Sequence, residues 1–157
     1  MSMAGFTVLY LGPRSGTCLD RANALRRIGC TVEHIDLRSL LPRQRWVDRW
    51  AWHVGGHWFS PLIAKGLVRT LGHKRFHLCH VDGGEWVTPA VLRVLREHTD
   101  LVINYNIDDP TGPRDGARFT AYRQSAALYD LLAVVREDNV AELSALGASN
   151  VVRVYRS

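Results

Sequence analysis

The sequence predicts an α/β domain, a doubly wound, Rossmann-like fold around a mostly parallel six-stranded sheet. Three observations lead there. Strand-like and helix-like segments alternate from one end of the chain to the other, the pattern of parallel strands joined by crossover helices. The first strand segment, FTVLYLG, is a continuous apolar run, as in a strand covered on both faces. Glycine, proline and charged residues concentrate in the segments that follow strands, whereas the returns RIGC, EHTD and LGASN are short and plain. A length of 157 residues predicts one domain over 1–157, and a 46% hydrophobic fraction is enough to build its core.

The elements follow in order. FTVLYLG (6–12) is the first strand. Thr17, with Asp20 three residues on, resembles a capping box. It opens a helix that runs to about Ile28, carries Cys18, Ala22 and Leu25 on one face, and stops at Gly29. TVEHIDL (31–37) is the second strand. RQRWVDRWAWHV is helical and is interrupted by Gly55 and Gly56. Ser60 as N-cap and Pro61 at the first helical position open PLIAKGLVRTL, with Gly72 as its stop. RFHLCHV (75–81) is the third strand, and Thr88 and Pro89 start the helix AVLRVLREH. LVINYN (101–106) is the fourth strand. A helix over 117–129 places Phe119, Tyr122, Ala126 and Tyr129 at spacings of three and four. LLAVV (131–135) is the fifth strand, Asp138 caps NVAELSALG, and NVVRVY (150–155) is the sixth strand.

In an open parallel sheet, ligands bind beyond the carboxyl ends of the strands. Every loop at that end follows a strand. These loops are GPRSGT, DLRS, VDGGEW, NIDDPTGPRDG and VREDN. Together they predict a binding cleft whose candidate lining residues include Gly12, Arg14, Ser15, Gly83, Gly84, Asn104, Arg114, Asp115, Arg136 and Glu137. Pro110 and Pro113 restrict the backbone of the fourth loop and hold its side chains in place. Of the neighbours Asp108 and Asp109, one is expected to face the cleft, because successive residues of an extended segment point opposite ways. The spaced glycine triplet of a dinucleotide site is absent, although Asp36 ends the second strand where a ribose-binding acid would sit. Gly12 and Gly16 still allow close backbone approach, and the helix after them can face an anion.

Charge is unevenly placed. Residues 1–75 hold 12 Lys/Arg against 4 Asp/Glu, and residues 76–157 hold 8 against 11. The basic half suits an anionic partner (phosphate, a lipid surface or nucleic acid) or a solvated arginine-rich surface. No apolar run approaches the ~18 residues that span a bilayer. The N-terminus lacks a basic n-region and passes straight into a strand, which predicts no signal peptide. Cys18, Cys30 and Cys79 are scattered and odd in number, which fits free thiols in a reducing cytoplasm.

Trp46, Trp50, Trp52 and Trp58 crowd into thirteen positions, with Arg38, Arg43, Arg45 and Arg49 interleaved or adjoining. Trp46, Arg49, Trp50 and Trp58 form a candidate membrane or partner surface, since such a helix can lie at an anionic bilayer. The other reading packs the tryptophans on the sheet and leaves the arginines in water. Base stacking is a third, but no nucleic-acid module pattern is visible. His53 and His57 have ligand-like spacing, yet Gly55 and Gly56 break the helix that would align them, so no metal is assigned. Cys18 sits in a first helical turn with no partner base and reads as a structural thiol.

The runs VDGGEW-x-TP, LVINYNIDDPTGPRDG, YDLLAVVREDNVAEL and GASNVVRVY resemble the spore-maturation-protein-like group of GT-B glycosyltransferases. The resemblance spans nearly the whole chain and is tightest from residue 81 onward. It implies the N-terminal half of a GT-B fold, which binds a sugar or lipid-linked acceptor. The nucleotide-sugar donor, a co-substrate, would sit on a C-terminal domain that these 157 residues do not include. It further implies that Asp108, Asp109 or Glu85 acts as general base on an acceptor hydroxyl. Arg14, Arg114 and Arg136 would hold anionic groups. No metal or other cofactor is implied. The expected location is the cytoplasm, with peripheral contact on the inner membrane face.

Overall fold

The computed structural model describes residues 3–112 and 117–155. Six strands form one sheet in the order β2-β1-β3-β4-β5-β6, and every neighbouring pair is parallel. They are β1 (Thr7–Leu11), β2 (Thr31–Ile35), β3 (Phe76–Asp82), β4 (Thr99–Asn106), β5 (Leu131–Val134) and β6 (Val151–Arg153). The helices are α1 (Gly16–Arg27), α2 (Arg45–Val54), α3 (Ser60–Leu71), α4 (Pro89–His98), α5 (Thr120–Ser125) and α6 (Glu137–Ala145). The fold is thus the Rossmann-like α/β class predicted from the sequence.

Several helix starts differ from the sequence expectation. Ser15, not Thr17, is the N-cap of α1, and Phe59, not Ser60, precedes α3. Arg136 occupies the N-cap of α6, with Asp138 inside its first turn, where a carboxylate complements the helix dipole. Thr88 does cap α4, accepting from the Val91 amide at 3.3 Å. The single helix expected over 117–129 is a short α5 continued by a 3-10 turn, Ala126–Leu128.

The two faces of the sheet are covered unequally. On one face Leu9, Leu11, Ile35, Cys79, Val81, Val102, Leu132 and Val134 are buried in a single cluster. Val47, Ile63, Leu67, Leu92, Leu95, Tyr122 and Leu143 of α2–α6 complete that cluster. The alternate strand residues point the other way. There Val8, Tyr10 and His34 are buried, and α1 reaches across through Arg21, whose guanidinium lies 4.8 Å from the Tyr105 ring centre. Further along the same face Leu101 and Val152 are exposed, while Ile103, Tyr105, Leu131 and Ala133 are only half-buried.

Candidate functional site

The chain reverses direction across the sheet between β1 and β3, because β2 lies outside β1 and every later strand lies on the other side. At such a switch point the loops after neighbouring strands diverge and leave a crevice. A cleft of about 270 Å³ opens there, walled by the residues after β1, β2 and β3. Gly12 and Pro13 come from the first loop, Asp36 and Arg38 from the second, and Asp82, Glu85 and Trp86 from the third. The first and third loops pack closely at Gly12, where a Cβ would stand 3.0 Å from the Asp82 Cβ. A second hollow of about 190 Å³ shares Glu85 and Trp86 and adds Trp52, Gly56, Asp48 and Arg118.

Asp82 anchors the floor. Its carboxylate accepts from the Tyr10 hydroxyl and from Arg21 Nε at 2.8 Å, with Arg21 Nη2 at 2.7 Å. The side chain is only 5% exposed, so these partners replace its lost hydration. Burial, reinforced by Asp82, pushes the Tyr10 hydroxyl well above its ordinary range. His80 stacks on Tyr10 with ring centres 4.8 Å apart, and burial lowers it to about 4. Its Nε2 has no hydrogen-bond partner among the described residues. His34 meets Tyr10 edge-on, and its Nε2 lies 2.9 Å from the Gly12 carbonyl oxygen. Burial lowers His34 as well. Cys18 borders this network. Burial and then Asp82 raise its thiol to about 11, which suits a structural thiol and not a nucleophile.

The third loop is held open by asparagines. Asn104 Nδ2 donates to the Val81 and Gly83 carbonyls at 3.1 and 3.0 Å, and Asn106 Nδ2 donates to Gly83 at 3.1 Å. Gly83 and Gly84 adopt φ of 83° and 105°, and a Cβ on Gly84 would meet Tyr122 at 3.0 Å. Asn104 is 1% exposed, so its observed contacts support the loop from beneath.

Arg118, in the turn before α5, lies 3.3 Å from both Glu85 Oε1 and Asp108 Oδ2. It also covers the Trp52 and Phe119 rings at 5.2 and 4.7 Å. Asp109 turns away toward α6. Its Oδ1 accepts from Asn139 Nδ2 at 2.9 Å and from the Gly112 amide at 3.1 Å, and Arg136 stands 3.5 Å off. Arg14 and Ser15 are exposed at the tip of the first loop, and Ser15 makes no side-chain cap bond. Glu137 opens α6 and pairs with Arg153 at 2.6 Å. Arg114 and Asp115 lie outside the described residues. The geometry therefore groups Gly12, Gly84 and Glu85 at one cleft, links Asp108 to it through Arg118, and sets Asp109, Arg136 and Glu137 beside α6.

Tyr10, Arg21, Asp82, Trp86 and Arg118 were not among the sequence candidates. Asp82 and Trp86 flank Glu85 in VDGGEW and were within reach of the same argument. Arg118 had no local signal. Trp46, Trp50, Trp52 and Trp58 are 57%, 49%, 57% and 65% exposed, so they do not pack on the sheet as one of the readings held. Among the described residues, no group of three or more His, Cys, Asp or Glu is placed to hold a metal ion. No described helix is long and apolar enough to cross a membrane.

Fold and cleft define the class: an all-parallel, Rossmann-like α/β domain with a carboxylate-lined crevice at its switch point. Comparison with protein-family models, curated proteins and solved structures gives no significant match.

Proposed function

We propose that this chain is the acceptor-binding domain of a GT-B-type glycosyltransferase, working with a second α/β domain that holds a nucleotide-sugar donor. The observation that carries the reading is the chemistry of the switch-point cleft. Asp36, Asp82 and Glu85 line it beside Leu11 and Trp86, and the one cation among its described lining residues, Arg38, is bound to Asp48. Asp82 is held by Arg21 and Glu85 lies 3.3 Å from Arg118, so their charges are largely balanced and the carboxylate oxygens left over accept hydrogen bonds from a ligand rich in hydroxyl donors. The half-buried Trp86 offers apolar surface to the carbon face of a sugar ring. Glu85 borders both hollows and is the acid best placed to take a proton from an acceptor hydroxyl. The half-covered β3–β6 face also supports a domain that works packed against further polypeptide, since parallel sheets are normally covered on both faces. The setting proposed is the cytoplasm.

The uncapped first turn of α1 favours a second reading, a stand-alone module for a nucleotide or phosphorylated ligand. One titration separates the two. Saccharides, a nucleotide-sugar and inorganic phosphate are titrated into the chain by calorimetry, with Glu85→Gln as control. Saccharide binding that weakens roughly tenfold in Glu85→Gln supports the acceptor reading. Phosphate or nucleotide-sugar binding indifferent to Glu85, with no saccharide binding, replaces it with the module. The isolated chain should show no sugar transfer, because the donor-positioning groups would be elsewhere.

A further inference from the structure

The outer surface of α2 and α3 is apolar, aromatic and cationic at once. Helix α2 spends only Val47 and Ala51 on the core. Trp46 and Trp50, four residues apart, share one flank and stay about half exposed, with Arg45 and Arg49 outermost between them and Trp52. Trp58 is 65% exposed in the connection that follows. Helix α3 exposes Leu62, Lys65 and Arg69 on its outward side, at helical spacing. Four tryptophans within thirteen residues, each about half exposed or more, mark a contact surface.

Charge selects the occupant. From Arg45 to Leu71, the span of α2 and α3, the sequence carries four Lys/Arg (Arg45, Arg49, Lys65 and Arg69) and a single acid, Asp48. Arg38 neutralises that acid, with Nη2 3.0 Å from Oδ2. Two copies of so cationic a face repel each other, which argues against self-association. Nucleic acid would use the tryptophans but has no use for exposed Leu62 and Val68, which are 50% and 49% accessible. Aliphatic groups beside tryptophan, rimmed by arginine and lysine, match the boundary between acyl chains and anionic headgroups. We infer that the α2–α3 surface docks on anionic lipid bilayers. The inference does not depend on the sugar reading. It would set the cleft mouth close to the bilayer, because Gly56 packs against the Glu85 carbonyl and Trp52 lines the adjoining hollow.

The test is co-sedimentation of the full chain with vesicles of phosphatidylcholine alone and of phosphatidylcholine mixed with phosphatidylglycerol. Binding should appear only with phosphatidylglycerol and fall roughly fivefold for each cation removed, so R45Q/R49Q/K65Q loses roughly a hundredfold. These three side chains are exposed, so the variant keeps its fold, checked by circular dichroism. Tryptophan emission should be quenched by brominated phosphatidylglycerol, and W50A/W58A should lose most of that quenching. Equal recovery of wild type and R45Q/R49Q/K65Q overturns the proposal. So does retention on an RNA oligonucleotide without vesicle binding, or self-association through these tryptophans without it.

Discussion

The side-chain amide of Asn139 donates to Oδ1 of Asp109 at 2.9 Å, tying the Asp-Asp-Pro loop to the first turns of α6. The neighbouring Asp108 points to Arg118 and, through it, to Glu85. Two adjacent identical acids thus have different surroundings. Asn139 is fully buried, so the Asp109 bond is made where water cannot replace it.

Asp109→Ala should therefore destabilise the fold by about 1–2 kcal/mol, the cost of losing the Gly112 N–H acceptor and one of three acceptors of the buried Asn139 amide, which keeps Thr111 Oγ1 at 2.7 Å and Glu142 Oε2 at 3.1 Å. Asp108→Ala, at a half-exposed ion pair, should stay within about 1 kcal/mol of wild type. Urea unfolding of the two variants side by side makes the comparison. Equal losses would mean that the α6 anchor carries no special weight.

A second expectation concerns Gly56. A Cβ there would lie 2.6 Å from the Glu85 carbonyl oxygen and 2.8 Å from the Trp86 ring. Both neighbours belong to the cleft wall, and the carbonyl is backbone, so neither yields cheaply. Gly56→Ala should cost about 1–3 kcal/mol and displace the third loop. Denaturant midpoints report the first effect, and altered Trp86 side-chain signals in NMR report the second.

The frame was legible in the sequence because its signals are local. TVLYL is a nearly continuous apolar run, LVINYN holds Leu101, Ile103 and Tyr105 at one parity, glycines mark the turns, and Thr88 announces α4. Caps were less legible where several polar residues compete: Ser15 and Thr17 are two apart, and Arg136 wins the N-cap of α6 with no side-chain cap bond. The rim bearing the cleft followed from parallel topology alone. Its contents did not, since Tyr10, Arg21 and Asp82 meet across separations of up to 72 residues, and Arg118 reaches Glu85 across 33. No local spacing encodes such meetings. The exposed tryptophans show the same limit: helical periodicity places Trp46 and Trp50 together but not the layer they face.

Cys18 gives a third expectation. Its thiol is raised from 9.0 to about 11, chiefly by burial. At neutral pH that leaves roughly a hundredfold less thiolate than in the unfolded chain. Reaction with a disulfide reagent should be slower by that order in the native protein and should quicken as pH rises. Cys30 and Cys79 are buried and should react only after unfolding. Rapid native labelling at Cys18 at neutral pH would contradict the packing around Arg21 and Asp82.

The stacked His80 sets an acid limit on stability. It is buried against Tyr10, with Asp82 and Arg21 nearby acting in opposite directions, and burial holds it at about 4 in the fold against 6.5 ordinarily. Between those two values the unfolded chain carries a proton that the native state refuses. The unfolded state then binds more protons, so unfolding free energy rises with pH across this window. The contribution is complete above the ordinary histidine value and is lost progressively as pH falls toward 4, by a total of about 3 kcal/mol. His34, also lowered by burial, adds a loss of the same sign. His80→Phe keeps an aromatic ring on Tyr10 but cannot titrate. Its urea-derived stability should therefore decline less steeply than wild type between these pH values, while Asp48, held low by Arg38, keeps its own lower-pH loss. Parallel slopes for the two proteins would show that His80 is not held neutral in the fold.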